Sequence, residues 1–350
     1  MEVLGQGENT ATIYTRDGRT KVLDLRATSI EWPRLLCETG RATVQIAPAD
    51  CEVKLNDLAT WAHTLVVHRN DDRVWEGPLR KITHAAKGLT LVASDVSGWM
   101  ERRRIRTRRR SATAKVITEM QWTVNEAFDL DDPYVLTHLQ TLGGVDLGAT
   151  IDRDIAVASA YHSEDLSNLV GAGGRWTVVG RRIVLWPSTA SIGATRDLSP
   201  ENHLNADVSI TEDGDDLATS FAARNDDGVV GTASGPDGDV DPFYGLVDGL
   251  GTLSGHAKPA ALTSYAASIL GQSYPAPVTI DLPSDATLRP DAPFPIRDLV
   301  PGVHVPVQTV TATSRRIRAS MILTGVKVTQ QAGSPEVVSI TLAPPGEAVS

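Results

Sequence analysis

The stretch RVWEGPLRKITHAAKGLTLVASDVSGWMERRRI, residues 73–105, leaves the chain little freedom of fold class. Residues 74–79 run through Lys81, Ile82 and Thr83 to a polar turn at Lys87 and Gly88. Residues 89–93 (LTLVA) then return as a second strand, rich in β-branched and apolar side chains, and Asp95 ends the run. The same grammar fills the preceding residues. Residues 12–14 meet a turn at Asp17 and Gly18, and residues 21–25, 29–34, 40–46 and 64–68 follow as short runs. That spacing predicts a small barrel or sandwich. The 29 glycines and 20 prolines supply turns, and the apolar mass is Val, Leu, Ile and Ala over only four Phe and four Met, which favours sheets.

The texture changes after residue 101. Residues 102–110 read RRRIRTRRR, seven arginines in nine positions. Such a run reads in one of two ways: first, as a phosphate or nucleic-acid contact; second, as a solvated connector or as an ion-pairing partner of an acidic neighbouring subunit. The run lacks interleaved aromatics, and the chain has a net charge of −10 and a pI near 5.3, which favour the second. Ser111 is expected to cap a helix over residues 112–127, with Val116, Met120 and Val124 on one face, and residues 134–142 read as a second helical piece. Ser163, Glu164 and Asp165 open a short helix through Leu166, Leu169 and Val170, stopped by Gly171 to Gly174. A hairpin over 175–179 and 181–187 carries Trp176 and Trp186 on its arms.

Strands resume at 207–210 and 217–223. Residues 224–256, rich in Gly and Asp, read as a long loop. A helix is predicted over 259–270, opened by Pro259 and stopped by Gly271. Further strands are predicted at 278–282, 303–307, 315–320, 321–328 and 337–342, with a loose tail. The 350 residues thus suggest two or three domains.

Sites for chemistry are scarce. The sequence holds no HExxH, CxxC, GxxxxGK[ST] or GxSxG pattern, and its eight histidines are scattered. Gly171 to Gly174 precede a strand rather than open a helix, so they do not fit a dinucleotide loop. Ser254 and His256 are neighbours in sequence only. Asp237, Asp239 and Asp241 alternate as calcium ligands do, but Pro242 stands where an EF-hand loop needs Gly and Asp248 where it needs Glu. No residue is assigned a catalytic, cofactor-binding or metal-ligating role, and no cofactor is expected. Cys37 and Cys51 are expected as thiols, with a single bridge the alternative. No signal peptide and no span of about 20 apolar residues is visible, which predicts synthesis in the cytoplasm without a membrane anchor.

Four stretches resemble siphophage minor tail proteins of the tail-tip hub type, as found in phages of actinobacteria. These are Val74 to Pro78 with Leu91 to Asp95 and Trp99 to Arg103; Leu166 to Leu169 through Trp176 to Pro187; Asp241 to Leu246; and Asp298 to Gly302. The resemblance implies a mainly β hub fold: two β-barrel-like domains plus smaller α/β domains. The boundaries expected are 1–110 for an N-terminal barrel, 111–196 for the small α/β domain, 197–235 with 275–345 for a second barrel, and 236–274 for a loop and helix insertion. It implies a homotrimeric ring at the virion tail tip, joining the tail tube and distal tail protein to host-recognition parts. The tape-measure protein and other tail-tip proteins would be partners, with DNA only in transit through the channel. The family hub has no catalytic residues to carry over, and with the sequence ending at Ser350 no appended hydrolase is expected. Two other readings stay open: a receptor- or carbohydrate-binding tail protein using the seven tryptophans as stacking platforms, and a cell-envelope hydrolase.

Overall fold

The computed structural model describes all residues except 1–3, 51–52, 130–137, 143–148, 207, 213, 253–258, 277, 282, 284–285, 311–315 and 345–350. In chain order the first seven strands are β1 (Asn9–Thr15), β2 (Lys21–Leu25), β3 (Ala27–Leu35), β4 (Arg41–Ile46), β5 (His63–Arg69), β6 (Asp72–Ala85) and β7 (Gly88–Ser94). Then come β8 (Arg109–Lys115), α1 (Val116–Phe128), β9 (His138–Thr141), β10 (Thr150–Ile155), α2 (His162–Gly171), β11 (Gly174–Val179), β12 (Arg182–Pro187) and the short α3 (Pro200–His203). They are followed by β13 (Ser209–Glu212), β14 (Ser220–Arg224), β15 (Val230–Ser234), β16 (Val240–Asp241), β17 (Gly245–Leu246), β18 (Asp248–Thr252), α4 (Pro259–Ser273) and β19 (Val278–Asp281). The last strands are β20 (Thr287–Leu288), β21 (His304–Val310), β22 (Arg316–Gln331) and β23 (Val337–Ala343). The protein is mainly β, 50% strand against 17% helix, in several sheets, as its alternating runs predict. It divides into two compact units, residues 1–207 with 283–350, and residues 208–282.

In the larger unit, eleven of the described strands share one sheet, in the order β2-β1-β5-β6-β7-β4-β3-β22-β23-β20, with β21 also on β22. Both ends of the chain therefore build one sheet. Two long strands make this possible by changing partners along their length. β6 pairs with β5 over residues 72–78 and with β7 over 79–85. The change falls between Pro78 and Leu79; just before it, at Gly77, a Cβ would lie 1.8 Å from the Ser94 carbonyl oxygen, so only glycine fits. β22 pairs with β21 over residues 316–322 and with β3 over 325–331. The sequence suggests two strands at 315–320 and 321–328; they are one, because each half finds its own neighbour.

Where β1, β3, β5 and β22 come together, the core is polar. Glu336, just before β23, is buried with Arg69 at the end of β5, their side chains 0% and 1% exposed. Arg69 donates from Nη2 and Nε to the two Glu336 oxygens at 2.5 and 2.9 Å. Asn9 donates its Nδ2 to Glu336 at 3.1 Å and to Gln330 at 3.0 Å, and its Oδ1 accepts from the Trp32 indole at 3.0 Å. The backbone N–H groups of Gly5 and Gly7 also donate to Glu336. A Cβ at Gly7 would lie 2.2 Å from Arg69 Nε, so glycine lets the N-terminal chain reach the carboxylate. A buried ion pair is tolerated when its remaining lone pairs are satisfied, and here they are.

Residues 96–187 add a small α+β part to this unit. α1 buries Val116, Met120 and Val124, the face predicted, against Leu166 and Leu169 of α2 and Trp176, Ile183 and Leu185 of the β11–β12 hairpin. The hairpin is fixed to β3 by Thr177, whose hydroxyl donates to the Leu35 carbonyl at 2.8 Å. Ser111 does not cap α1. Residues 109–115 form β8 instead, their backbone paired with β10, and α1 starts at Val116 after Lys115, which makes no side-chain cap. Within the predicted helical piece 134–142, residues 138–141 are β9, a parallel neighbour of β12, while 134–137 lie outside the described residues.

In the smaller unit, β14 lies between β15 and β18, and α4 covers one face through Leu262, Ala266 and Leu270 against Phe221 and Ala223. Residues 224–256, expected as a loop, contain β15 to β18. Their glycines serve close packing: a Cβ at Gly249 would meet the Phe221 ring at 2.3 Å, and one at Gly231 would meet Thr263 of α4 at 2.4 Å. The helix predicted from Pro259 is present as α4 and runs to Ser273.

Replacing Glu336 with Ala leaves Arg69 charged and buried without its carboxylate. Urea unfolding is expected to show a loss of about 3–5 kcal/mol. A pH effect should accompany it. Burial pushes the Glu336 carboxyl up, but the hydrogen bond and charge of Arg69, with Asn9 and Gly7, outweigh burial and hold it below its ordinary value of 4.5. This group's stabilisation is present above pH 4.5 and is lost as pH falls through its lower native value, a loss absent in the Ala variant.

Candidate functional site

The arginine run divides into three kinds of residue. Arg103 is buried between the Trp99 and Phe128 rings, 5.1 and 5.5 Å from their centroids, and donates to the Ala127 carbonyl at the end of α1. Arg109 reaches Glu119 of α1 with two hydrogen bonds, at 3.1 and 2.8 Å. Arg108 forms a bidentate pair with Asp154 on β10, at 3.0 and 2.8 Å, exposed to solvent. Arg102, Arg104 and Arg106 are exposed. The run is thus not wholly a free surface: four of its arginines bind within the chain, Arg110 joining Arg108 at Asp154.

The sequence pattern does not reveal what holds the segment in place. Glu126 on α1 accepts the backbone N–H groups of Arg106 and Thr107 at 3.1 and 2.5 Å. His162, fully buried at the start of α2, sits between the Arg103 carbonyl and Glu126 Oε2, each at 2.6 Å. The available signal is polarity on a buried helix face: Glu119 and Thr123 are buried among the apolar positions of α1, and Glu126 borders them. Behind it, Arg153 of β10 pairs with Glu119 at 2.7 Å and with Asp165 of α2, and Thr123 donates to Asp165 at 2.5 Å. Trp122 lies under the guanidinium groups of Arg109 and Arg153, 5.6 and 5.1 Å away. These carboxylates are held by cations and hydroxyls of the same chain. The Glu119 carboxyl is pushed up by burial, but Arg109 and Arg153 outweigh this and hold it below its ordinary range.

The other candidate residues separate. Asp241 accepts from the Phe243 and Tyr244 N–H groups at 2.7 and 2.8 Å and from the Tyr274 hydroxyl at 2.5 Å. It closes the β16–β17 turn. Asp239 takes the Ser234 hydroxyl, and its carbonyl takes that of Thr219. Among the described residues, no three His, Cys, Asp or Glu side chains gather as metal ligands. Ser254 and His256 lie outside the described residues, as does Cys51. Cys37 is a free thiol that burial pushes up to about 11. Of the tryptophans, Trp32, Trp75, Trp99, Trp176 and Trp186 are buried, and Trp61 and Trp122 are half-buried. Trp61 is covered by Arg80 at 4.7 Å and Trp99 at 5.0 Å, so none of the seven presents an open stacking face. Among the described residues, no helix is long and apolar enough to cross a membrane.

The fold is similar to that of solved tail proteins over nearly the whole chain. The 43 kDa tail protein of prophage MuSo2 from Shewanella oneidensis matches with a TM-score of 0.59 and 10% identity, over 97% of this chain and 98% of that one. Prophage tail protein gp18 from Listeria monocytogenes matches at 0.57 and 12% identity, over 95% and 94%. A tail protein from Neisseria meningitidis matches at 0.56 and 13% identity, over 95% and 96%. No protein-family model and no curated protein matches the sequence. At such identities the likeness establishes a shared fold.

Two substitutions separate the structural arginines from the surface ones. Arg153→Ala strips a buried cation from Glu119 and Asp165 and is expected to cost about 3–5 kcal/mol in chemical denaturation. Arg108→Ala removes a pair whose side chains are 61% and 45% exposed. It is expected to change stability by less than about 1 kcal/mol.

Proposed function

We infer that the chain is a structural component of a phage-type tail, working by assembly. One observation carries this reading: the fold corresponds end to end with tail proteins, 97% of this chain against 98% of the MuSo2 protein, with neither chain leaving a large part unmatched. The use of charge agrees with it. Buried carboxylates at Glu119, Asp165 and Glu336 are paired with arginines, an arrangement that supports geometry and gives substrate nothing to react with.

In finer terms, the protein is a tail-tip hub of a siphophage, made in the host cytoplasm and incorporated into the virion. Three copies form a ring that joins the tail tube and distal tail protein to the parts that recognise the host. The ring surrounds a channel that the tape-measure protein and then DNA pass through. What supports these steps is the resemblance in the strand pair, the Trp hairpin and the two loop motifs. The buried tryptophans withdraw support from a sugar-stacking role.

Size-exclusion chromatography with light scattering tests the ring. The expected mass is three times the 37.4 kDa of one chain. A strictly monomeric species at every concentration, with and without its tail partners, contradicts it.

A further inference from the structure

We propose that Arg102, Arg104 and Arg106 form the receiving surface for the acidic unit, residues 208–282, of a second copy of this chain. This deepens the ring reading and rests on it.

The receiving side is made where a short 3-10 turn, residues 96–102, gives way to extended chain at Arg103. Arg103 and Ile105 are buried. Side chains at 104 and 106 therefore point the other way, about 7 Å apart, and Arg102, at the end of the turn, lies over the edge of the Trp61 ring, 6.0 Å from its centroid. All three are exposed, and among the described residues no carboxylate pairs with any of them. The backbone beneath them is fixed. Arg104 bridges to Tyr161, Ile105 donates to the Ala160 carbonyl at 3.1 Å, and Glu126 holds the next two N–H groups. Guanidinium groups presented on a fixed backbone are prepared for carboxylates, which they bind in planar, two-pronged geometry.

The other side is the smaller unit. Residues 208–282 hold eleven acidic side chains against two basic ones, Arg224 and Lys258. This unit thus carries nearly all of the chain's net charge of −10. It also exposes large apolar side chains. Phe243 at the tip of the β16–β17 hairpin is 86% exposed, and Leu250 of β18 is 83% exposed. Val240 and Leu246, paired across that hairpin, are exposed too. Exposed Asp237 and Asp248 lie on the chain leading into and out of the hairpin. Apolar side chains rimmed by charge mark a contact surface.

Charge selects the occupant. Two acidic units repel each other, so like does not meet like. A surface of one kind on one copy meets the other kind on the next; in the threefold ring proposed above this is a heterologous contact, repeated until the rotation closes. A polyphosphate could in chemistry also suit three arginines. Exposed Phe243, Val240 and Leu246 stand beside Asp237 and Asp248, so a second copy offers apolar area to bury as well as carboxylates, which a polyphosphate lacks.

The test uses the full chain. Light scattering is run at low salt and at about 1 M salt, where the screening length falls to about 3 Å. Two charge reversals are compared with wild type, Arg102→Glu/Arg104→Glu/Arg106→Glu and Asp237→Arg/Asp248→Arg, and then combined. Each reversal alone is expected to raise the dissociation constant of the assembly by about a hundredfold, high salt to weaken it, and the combination to restore it. Melting temperatures matching wild type show that the variants fold; should the arginine variant fail to fold, the aspartate variant and its salt dependence carry the test. A trimer unaffected by either reversal overturns this contact and leaves the ring standing. A dimer that depends on the arginines keeps the contact and removes the ring. A wild-type monomer at both salts removes both. Binding of a short DNA duplex, followed by fluorescence anisotropy and lost in the arginine variant while assembly is unchanged, assigns the row to phosphate and overturns the proposal.

Discussion

The carboxylate of Glu336 is where the two ends of this chain are tied together. Strands near residue 10 and strands near residue 330 lie in one sheet, and closing so long a loop costs conformational entropy before any contact repays it. β22 against β3 supplies seven paired residues. Arg69, Asn9, Gly5 and Gly7 then converge on Glu336, which brings β1 and β5 to the same point. Apolar alternation alone excludes a slip of one residue but tolerates a slip of two. A buried, fully partnered carboxylate accepts one register, because a slip of two residues would still leave it or Arg69 unpaired.

The same logic governs the arginine segment. An isolated run of seven arginines in nine residues would repel itself. Here every buried or half-buried member has an acceptor supplied by another element: Ala127 for Arg103, Glu119 for Arg109. The segment is thereby a structural strap across α1 and β10 on one side and a row of exposed cations on the other. From Arg103 to Arg106 that division follows from the period of two in an extended chain, which separates neighbours in sequence onto opposite faces.

Much of the fold is legible in the sequence, and what is not has physical causes. The strands at 74–93 and the Trp176–Trp186 hairpin are readable because alternation and turn residues agree there. The helix over 116–128 shows its apolar face, but the sequence points to a start at Ser111. A serine before an apolar run suits a cap, and nothing local reveals that residues 109–115 are claimed by β10, some forty residues on. Residues 230–252 look like loop because glycine is sparse in strands; only the Phe221 ring and α4 explain why glycine is needed there. β22 reads as two strands since a change of partner midway leaves no mark on the strand itself. The arginine run is visible at once, whereas Glu126 and His162, which hold it, are not. A polar residue among apolar ones declares burial, but its partner lies on another element.

Native-state hydrogen exchange tests most directly whether both chain ends belong to one cooperative sheet. The account predicts that amides in β1, β3, β5 and β22 open together, with one free energy and one denaturant dependence. Exchange of β22 and β23 at a markedly lower free energy, while β1 to β7 stay protected, would contradict it.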